Sequence, residues 1–393
     1  MTLLDDLRAG LAQLDATALR RVRRSNASPC GPLARIGERT LTAFCSNDYL
    51  GLAGNPALAA ALAEGAARWG AGAGASHLVS GHYRVHDELE EALARFVGCE
   101  RALGFSTGYM ANAGILSALL GRGDAIFADR LNHASLVDGM LLSRAELHRY
   151  PHLDLAALDR LLARSTTRRK AIVTDSVFSM DGDVAPLAAL FELAVRHDSW
   201  LVVDDAHGFG VLGPQGRGAL AEAGLQAHPQ AWRIVLVGTL GKAAGVAGAF
   251  VAGQAELIEW LLQKTRSYVF TTAAPPALAH ALIEALRMIE AGDERRRQLA
   301  RLIDLFRART RLQRWQLWPS RTPIQPVVIG DNAEALAVAA ALLEAGFWVP
   351  AIRPPTVPAG SARLRVVLSA AHREADVLAL AETLCALEAG GGR

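Results

Sequence analysis

Short apolar runs recur along most of the chain, separated by stretches with helical spacing. The runs are Ala102–Phe105, Ala125–Ala128, Ala171–Thr174, Trp200–Asp204, Ile234–Val237 and Gly248–Val251. Runs of this length, not alternating with polar residues, suit strands buried on both faces. Strands of that kind alternating with helices predict an α/β fold, a mostly parallel sheet flanked by helices. Before this region the chain reads differently. Leu4, Leu7, Leu11, Leu14 and Ala18 fall at helical spacing, so an amphipathic helix is expected to about Arg24. Ser25 to Cys45 is turn-rich and short-stranded. After Pro275-Pro276 a long helical stretch is expected to about Arg314. Strands near Ile324–Ile329 and Leu364–Leu368 then flank helices at Ala333–Ala345 and Glu374–Leu387, which predicts a smaller C-terminal α+β domain. The expected division is 1–45 as N-terminal helix and arm, 46–290 as large domain and 291–393 as small domain.

Composition narrows the function classes. The 393 residues are half apolar and one-fifth charged, enough for a large core. The net charge of +2 gives no nucleic-acid footprint, and the Arg runs at Arg20–Arg24 and Arg295–Arg297 are short. Cys30, Cys45, Cys99 and Cys385 lie far apart without a C-x-x-C, against a zinc site or a disulfide framework. The opening residues carry Asp5 and Asp6 where a signal peptide carries base. The apolar stretch Val235 to Ala252 is interrupted by Lys242 and glycines, which argues against a membrane span. A reduced, cytoplasmic setting is expected.

In an open α/β sheet, ligands bind where strands end. The run Trp200–Asp204 ends on Asp204, with His207 three residues on. An Asp beside a pyridine nitrogen keeps it protonated, and a His there suits a ring hydroxyl. An isolated D-x-x-H is more often structural. Gly208-Phe209-Gly210-Val211-Leu212-Gly213 matches G-x-G-x-x-G, but Pro214 follows in place of a clean helix, so it reads as a decoy. After Ile234–Val237 comes Thr239-Leu240-Gly241-Lys242. A lysine in an apolar glycine-rich loop can serve as an amine nucleophile for a Schiff base, and on its own it equally fits an exposed loop lysine. The segment is not a Walker A loop, because Leu236 and Ala243 replace the required Gly and Ser or Thr. Ser106-Thr107-Gly108-Tyr109 opens a helical stretch and suits either a phosphate site or a plain cap. His133 follows the strand end at Asp129 and could stack on a flat ring and move a proton, or simply fill a loop. Ser179 follows Ala171–Thr174 and could bond a ring substituent. Such polar groups gather on one edge if the sheet is parallel, and that convergence favours a cofactor site.

Five motifs carry a resemblance spanning Arg20 to about Ala371. They are Ser46-Asn47-Asp48-Tyr49-Leu50-Gly51-Leu52, Arg130-Leu131-Asn132-His133-Ala134-Ser135, Phe178-Ser179-Met180-Asp181-Gly182-Asp183, Val203-Asp204-Asp205-Ala206-His207-Gly208 and Thr239-Leu240-Gly241-Lys242. In this order they resemble the α-oxoamine synthases, fold-type I pyridoxal 5'-phosphate enzymes. Ala351 to Pro358 is most similar to the branch that condenses L-alanine with a pimeloyl thioester, on CoA or a carrier protein, in biotin biosynthesis. The alternative is another branch, such as glycine C-acetyltransferase.

The resemblance implies roles. Lys242 would hold the cofactor as a Schiff base, Asp204 would pair with the pyridinium nitrogen, and His207 with the ring oxygen. His133 would stack on the ring. Gly108 and Tyr109 would lie beside the cofactor, Ser179 and Thr239 would bond its oxygens, and Thr271 or Thr272 would reach a phosphate across a dimer interface. Asn47 and Arg365 would hold the amino-acid carboxylate, and Arg20 and Thr356 would contact the acyl substrate. A homodimer with shared active sites is implied, as are small-molecule substrates, with no metal, nucleic acid or membrane partner. Two positions depart from the family pattern: Asp175 stands where Glu is usual, and Phe209 where a small residue is common.

Overall fold

The computed structural model describes residues 2–390. They form two compact units. One holds residues 50–179 and 183–296; the other holds 2–49, 180–182 and 297–390. Residues 2–45, part of the segment read from sequence as an N-terminal helix and arm, thus group with the C-terminal part of the chain.

The larger unit is built on a seven-stranded sheet: β1 Arg101–Phe105, β2 Ala125–Asp129, β3 Glu146–Tyr150, β4 Lys170–Asp175, β5 Trp200–Asp204, β6 Ile234–Thr239 and β7 Ala249–Gly253. The order across the sheet is β1-β7-β6-β5-β4-β2-β3. Neighbours from β6 to β3 pair parallel, and β7 pairs antiparallel with both β6 and β1. Six of these strands coincide with the apolar runs. The seventh, β3, does not, because its residues Glu146-Leu147-His148-Arg149-Tyr150 form an edge and only Tyr150 is buried. Edge strands tolerate such polar residues.

Helices Gly108–Leu119 and Ala134–Ser143 cover the sheet. Ala111, Ile115, Leu116, Leu136 and Met140 pack with Ile126, Val173, Val202, Val235 and Val251 in one buried cluster. Each of the Val, Leu, Ile and Met side chains among them contributes about 1.5–3 kcal/mol by leaving water. The helices approach closely at Gly139, where a Cβ would lie 2.5 Å from the Asn112 carbonyl oxygen.

In the smaller unit, strands Gln316–Leu317, Ile324–Gly330, Ala362–Val367 and Ala351–Ile352 form an antiparallel sheet, and Leu33–Ile36, Arg39–Ala43 and Phe347–Trp348 form a second, three-stranded one. Helices Asn332–Glu344 and Glu374–Gly390 lie at the positions expected from their spacing.

Two helix boundaries differ from the sequence reading. The first helix covers only Leu3–Ala16, because Thr17 turns its hydroxyl onto the Gln13 carbonyl (2.8 Å) and Ala18 takes a left-handed φ of 54°. None of its residues is buried. The long stretch after Pro275 is two helices, Pro276–Glu290 and Asp293–Arg309, interrupted at Ala291-Gly292. Among the described residues, no helix is long and apolar enough to cross a membrane.

Candidate active site

β4, β5 and β6 run parallel, so their C-terminal ends lie on one edge of the sheet. Asp175, Asp204 and Thr239 are the last residues of these strands. Asp204 is buried, and its carboxylate accepts the Ala206 N–H at 3.0 Å and the Asn112 amide at 2.6 Å. The turn after β5 carries His207, also buried. Lys242 Nζ lies 2.9 Å from His207 Nε2. Lys242 sits in the loop joining β6 to β7, and the Gly245 N–H closes onto the Lys242 carbonyl at 2.9 Å. Gly245 has φ 72°, and a Cβ there would meet the Ala53 nitrogen at 2.6 Å. The loop is therefore pinned by its own turn and by residue 53.

His133 caps helix Ala134–Ser143. Its main-chain N–H donates to Asp175 at 2.9 Å, and its Nδ1 accepts the Ser135 N–H at 3.3 Å and lies 2.7 Å from the Ser135 hydroxyl. Asn112 donates to the same hydroxyl at 2.9 Å. The consistent polarity runs from the Asn112 amide through Ser135 to His133 Nδ1, which leaves the ring proton on Nε2. Burial favours this neutral ring and holds the His133 pKa below the ordinary histidine value. Burial also pushes Asp175 well above the usual carboxylate range, and the nearby Asp204 adds to it.

Asn112 and Ser135 thus join the stacking candidate to the charged candidate. Neither was assigned a role from sequence. In sequence Asn112 is a lone amide among Ala111, Ala113, Gly114, Ile115 and Leu116, which does not by itself reveal what it binds.

Gly108 opens its helix behind the Thr107 cap, whose hydroxyl accepts the Met110 N–H at 3.1 Å. A Cβ on Gly108 would sit 3.9 Å from Thr239 Oγ1, so the helix start faces the end of β6. Tyr109 is exposed, and its hydroxyl donates to Asp138. Ser179 is half-buried in the loop after β4. Thr271 and Thr272 follow helix Arg266–Val269, and Thr272 bridges to Ser76.

In the smaller unit, Asn47 Oδ1 accepts from both terminal nitrogens of buried Arg365 at 3.2 Å. Arg20 and Thr356 line one cavity of about 550 Å³ there, and Arg20 pairs with Asp15 at 2.6 Å. Phe209, the other departure from the family pattern, is core: it is fully buried, with Phe96 and Phe250 edge-on at 5.5 and 5.3 Å.

His77, His82 and His86 also come together. Five of their six ring nitrogens have partners within the protein. His86 accepts the Tyr83 N–H and lies 3.0 Å from the Ala274 carbonyl, while His77 and His82 face each other at 2.7 Å.

The donor set fits pyridoxal phosphate. It offers an amine for the aldehyde, a buried carboxylate for the ring nitrogen, an imidazole for the ring oxygen and a glycine-led helix start for an anion.

Comparison with known proteins agrees. Residues 39–384 match the aminotransferase class I and II family. The chain is 72% identical over 386 residues to the 8-amino-7-oxononanoate synthase of Azoarcus sp. (strain BH72), covering 98% of each chain. It is 59% identical over 377 residues to that of Herminiimonas arsenicoxydans, covering 95% of this chain and 96% of the relative. Among solved structures, a serine palmitoyltransferase from S. paucimobilis with a bound PLP–myriocin aldimine superposes with a TM-score of 0.91 at 30% identity, covering both chains fully. The 8-amino-7-oxononanoate synthase of Francisella tularensis gives 0.75 at 30% identity, over 89% of this chain and 98% of that one. The chain belongs to the aminotransferase class I and II family and, within it, to the 8-amino-7-oxononanoate synthases.

Proposed function

We propose that the protein uses pyridoxal 5'-phosphate to condense L-alanine with a pimeloyl thioester, releasing CO₂ and the thiol carrier and giving 8-amino-7-oxononanoate for biotin synthesis. The observation that carries this reading is the meeting of Lys242, His207, Asp204 and His133 at one sheet edge. When bound, the cofactor supplies an electron sink for a carbanion at the amino-acid Cα. Lys242 would hold the cofactor, then act as the free amine that takes the Cα proton. Asp204, oriented by Asn112 and the Ala206 N–H, would keep the ring nitrogen protonated. His207 would serve the ring oxygen, and His133 would lie against the ring. Gly108, Tyr109, Ser179, Thr239 and Thr271 would contact the cofactor's remaining groups. The carboxylate of alanine falls to Arg365, whose fork is braced on Asn47. Arg20 and Thr356 would meet the acyl substrate.

We further propose a cytoplasmic homodimer with shared active sites. Leu141, Leu142 and Phe270 are 64%, 63% and 70% exposed, and Phe270 directly precedes Thr271. Large exposed apolar side chains of this kind suit a subunit interface. Sedimentation of the purified protein tests this, and a monomer at micromolar concentration would refute it.

The decisive experiment compares absorption spectra of wild type and Lys242→Ala with added cofactor and L-alanine. A visible cofactor band lost only in the variant supports the reading. Faster turnover of glycine with acetyl-CoA than of L-alanine with pimeloyl-CoA would sink the substrate assignment.

A further inference from the structure

His152 lies outside the roles given above, yet both of its ring nitrogens are committed. Nδ1 is 3.0 Å from Asp129 Oδ1, and Nε2 is 3.1 Å from Asp183 Oδ2. Carboxylates only accept, so both nitrogens must carry hydrogen and the ring is an imidazolium.

Each of the two aspartates shapes a different loop, Asp129 through its carboxylate and Asp183 through its main chain. Asp129 ends β2 with its side chain fully buried, and it also accepts the Leu131 N–H at 2.8 Å and the Leu153 N–H at 2.9 Å. Its carbonyl takes the Asn132 N–H. It therefore sets the turn that delivers His133. Asp183 accepts the Phe178 N–H on its carbonyl at 2.9 Å, beside the Val177–Val184 bridge, and so closes the loop bearing Ser179. The Phe178 ring stands edge-on to His152 at 4.4 Å.

We propose that His152 is a positioning residue for the cofactor, a charged clamp that fixes the His133 turn and the Ser179 loop relative to each other through Asp129 and Asp183. The inference rests on the cofactor reading above. It adds that two contacts expected to hold the ring are governed by a group that touches neither substrate nor cofactor.

Burial disfavours the charge on His152, but its bonds to Asp129 and Asp183 outweigh that and raise its pKa to about 9. Tyr150 and Asp175 also lie in the field of Asp129, and burial pushes both upward, with Asp129 adding to each shift. With its folded-state pKa raised, the clamp stays charged until pH rises through about 9, and the stability it contributes is fully present below about pH 6.5 and lost as pH rises through about 9. Above that, a neutral ring can donate to only one carboxylate.

The test is the dissociation constant of pyridoxal phosphate for wild type, His152→Gln and Asp183→Asn between pH 7 and 10.5. Circular dichroism and urea melts of the apo proteins are recorded in parallel. At pH 7.5 both variants should bind about ten-fold more weakly with native circular dichroism, since each loses a charge-assisted bond. Wild-type affinity should fall through a step near pH 9 that His152→Gln lacks. Should His152→Gln fail to fold, Asp183→Asn decides, because its carboxylate already has solvent access. Wild-type-like affinity in the folded variants, or the same step surviving in His152→Gln, overturns the clamp. If Lys242-dependent cofactor uptake is present in that case, the cofactor reading stands and only the clamp falls. A wild type that takes up no cofactor overturns both.

Discussion

Asn112 offers a sharp test of how the site is held. It is buried, and its amide nitrogen donates to Asp204 at 2.6 Å and to Ser135 at 2.9 Å, while its Oδ1 is buried without a partner. Asn112→Ala removes a hydrogen bond to a charged group, about 1.5–3 kcal/mol, and a neutral one of about 1 kcal/mol. It also relieves the unsatisfied oxygen, which returns part of that loss. The expected destabilisation is about 1–3 kcal/mol and nearly independent of pH. Asn112→Asp differs in kind. It sets a second carboxyl oxygen in contact with Asp204, where two negative charges cannot both persist. The folded protein then keeps a proton that the unfolded chain releases near pH 4. Native binds more protons than unfolded, so stability falls as pH rises, by about 1.4 kcal/mol per pH unit until the shared proton is lost. Urea melts of the apo proteins at pH 5, 6 and 7 measure this. A difference between Asn112→Asp and wild type that stays constant across that range would refute the proposed contact.

Three further outcomes follow from interatomic distances and burial. Gly139→Ala places a Cβ 2.5 Å from the Asn112 carbonyl oxygen and 3.0 Å from the Ala113 Cα, both main chain, so it should cost about 1–3 kcal/mol in a urea melt despite alanine's better helix propensity. Asp205 is held by Ser176 and the Ala219 N–H, yet burial pushes its pKa up to about 7. Its ionisation thus weakens the folded state as pH rises from about 4 to 7 and adds nothing beyond, so the stability difference between wild type and Asp205→Asn should shift in favour of the variant over that window; a flat difference would contradict it. Arg365→Lys keeps the charge but loses the fork that meets Asn47 twice, and KM for L-alanine should rise about ten-fold in steady-state assays.

The pattern of apolar runs located six of the seven strands because a strand buried on both faces must be apolar throughout. It missed β3, where an edge position lets Glu146 and Arg149 stay exposed. It merged helices Pro276–Glu290 and Asp293–Arg309 because the apolar spacing continues through Ala291-Gly292, and one glycine in a periodic stretch does not announce a break. It extended the first helix because Ala18 keeps the spacing, whereas the Thr17 hydroxyl competes for the Gln13 carbonyl. In the site, Lys242, Asp204, His207 and His133 were legible as polar residues following apolar runs. Asn112 was not, since nothing local distinguishes a buried amide that orients a carboxylate from one that merely caps a packing gap. The same limit applies to Phe209, whose place in the core is visible only in its ring contacts with Phe96 and Phe250.

Strand direction is the feature that periodicity cannot encode, and it decides where Lys242 lies. A parallel partner to β6 would require a crossover of a dozen or more residues that carries the chain to the opposite edge of the sheet before the next strand begins. β7 instead runs antiparallel, with Thr239 paired to Ala249, so the connection turns back at the edge it leaves. The residues between never depart from the C-terminal edge, where Asp204 ends β5 and His207 follows it. The Leu240 N–H to Gly248 bond at 2.8 Å and the Val246 N–H to Leu240 bond at 3.1 Å hold the loop as a compact turn. Lys242 is thereby delivered to His207 by a hairpin rather than by a helix. Its backbone is fixed by bonds within the hairpin, and its amine is brought to 2.9 Å from His207 Nε2.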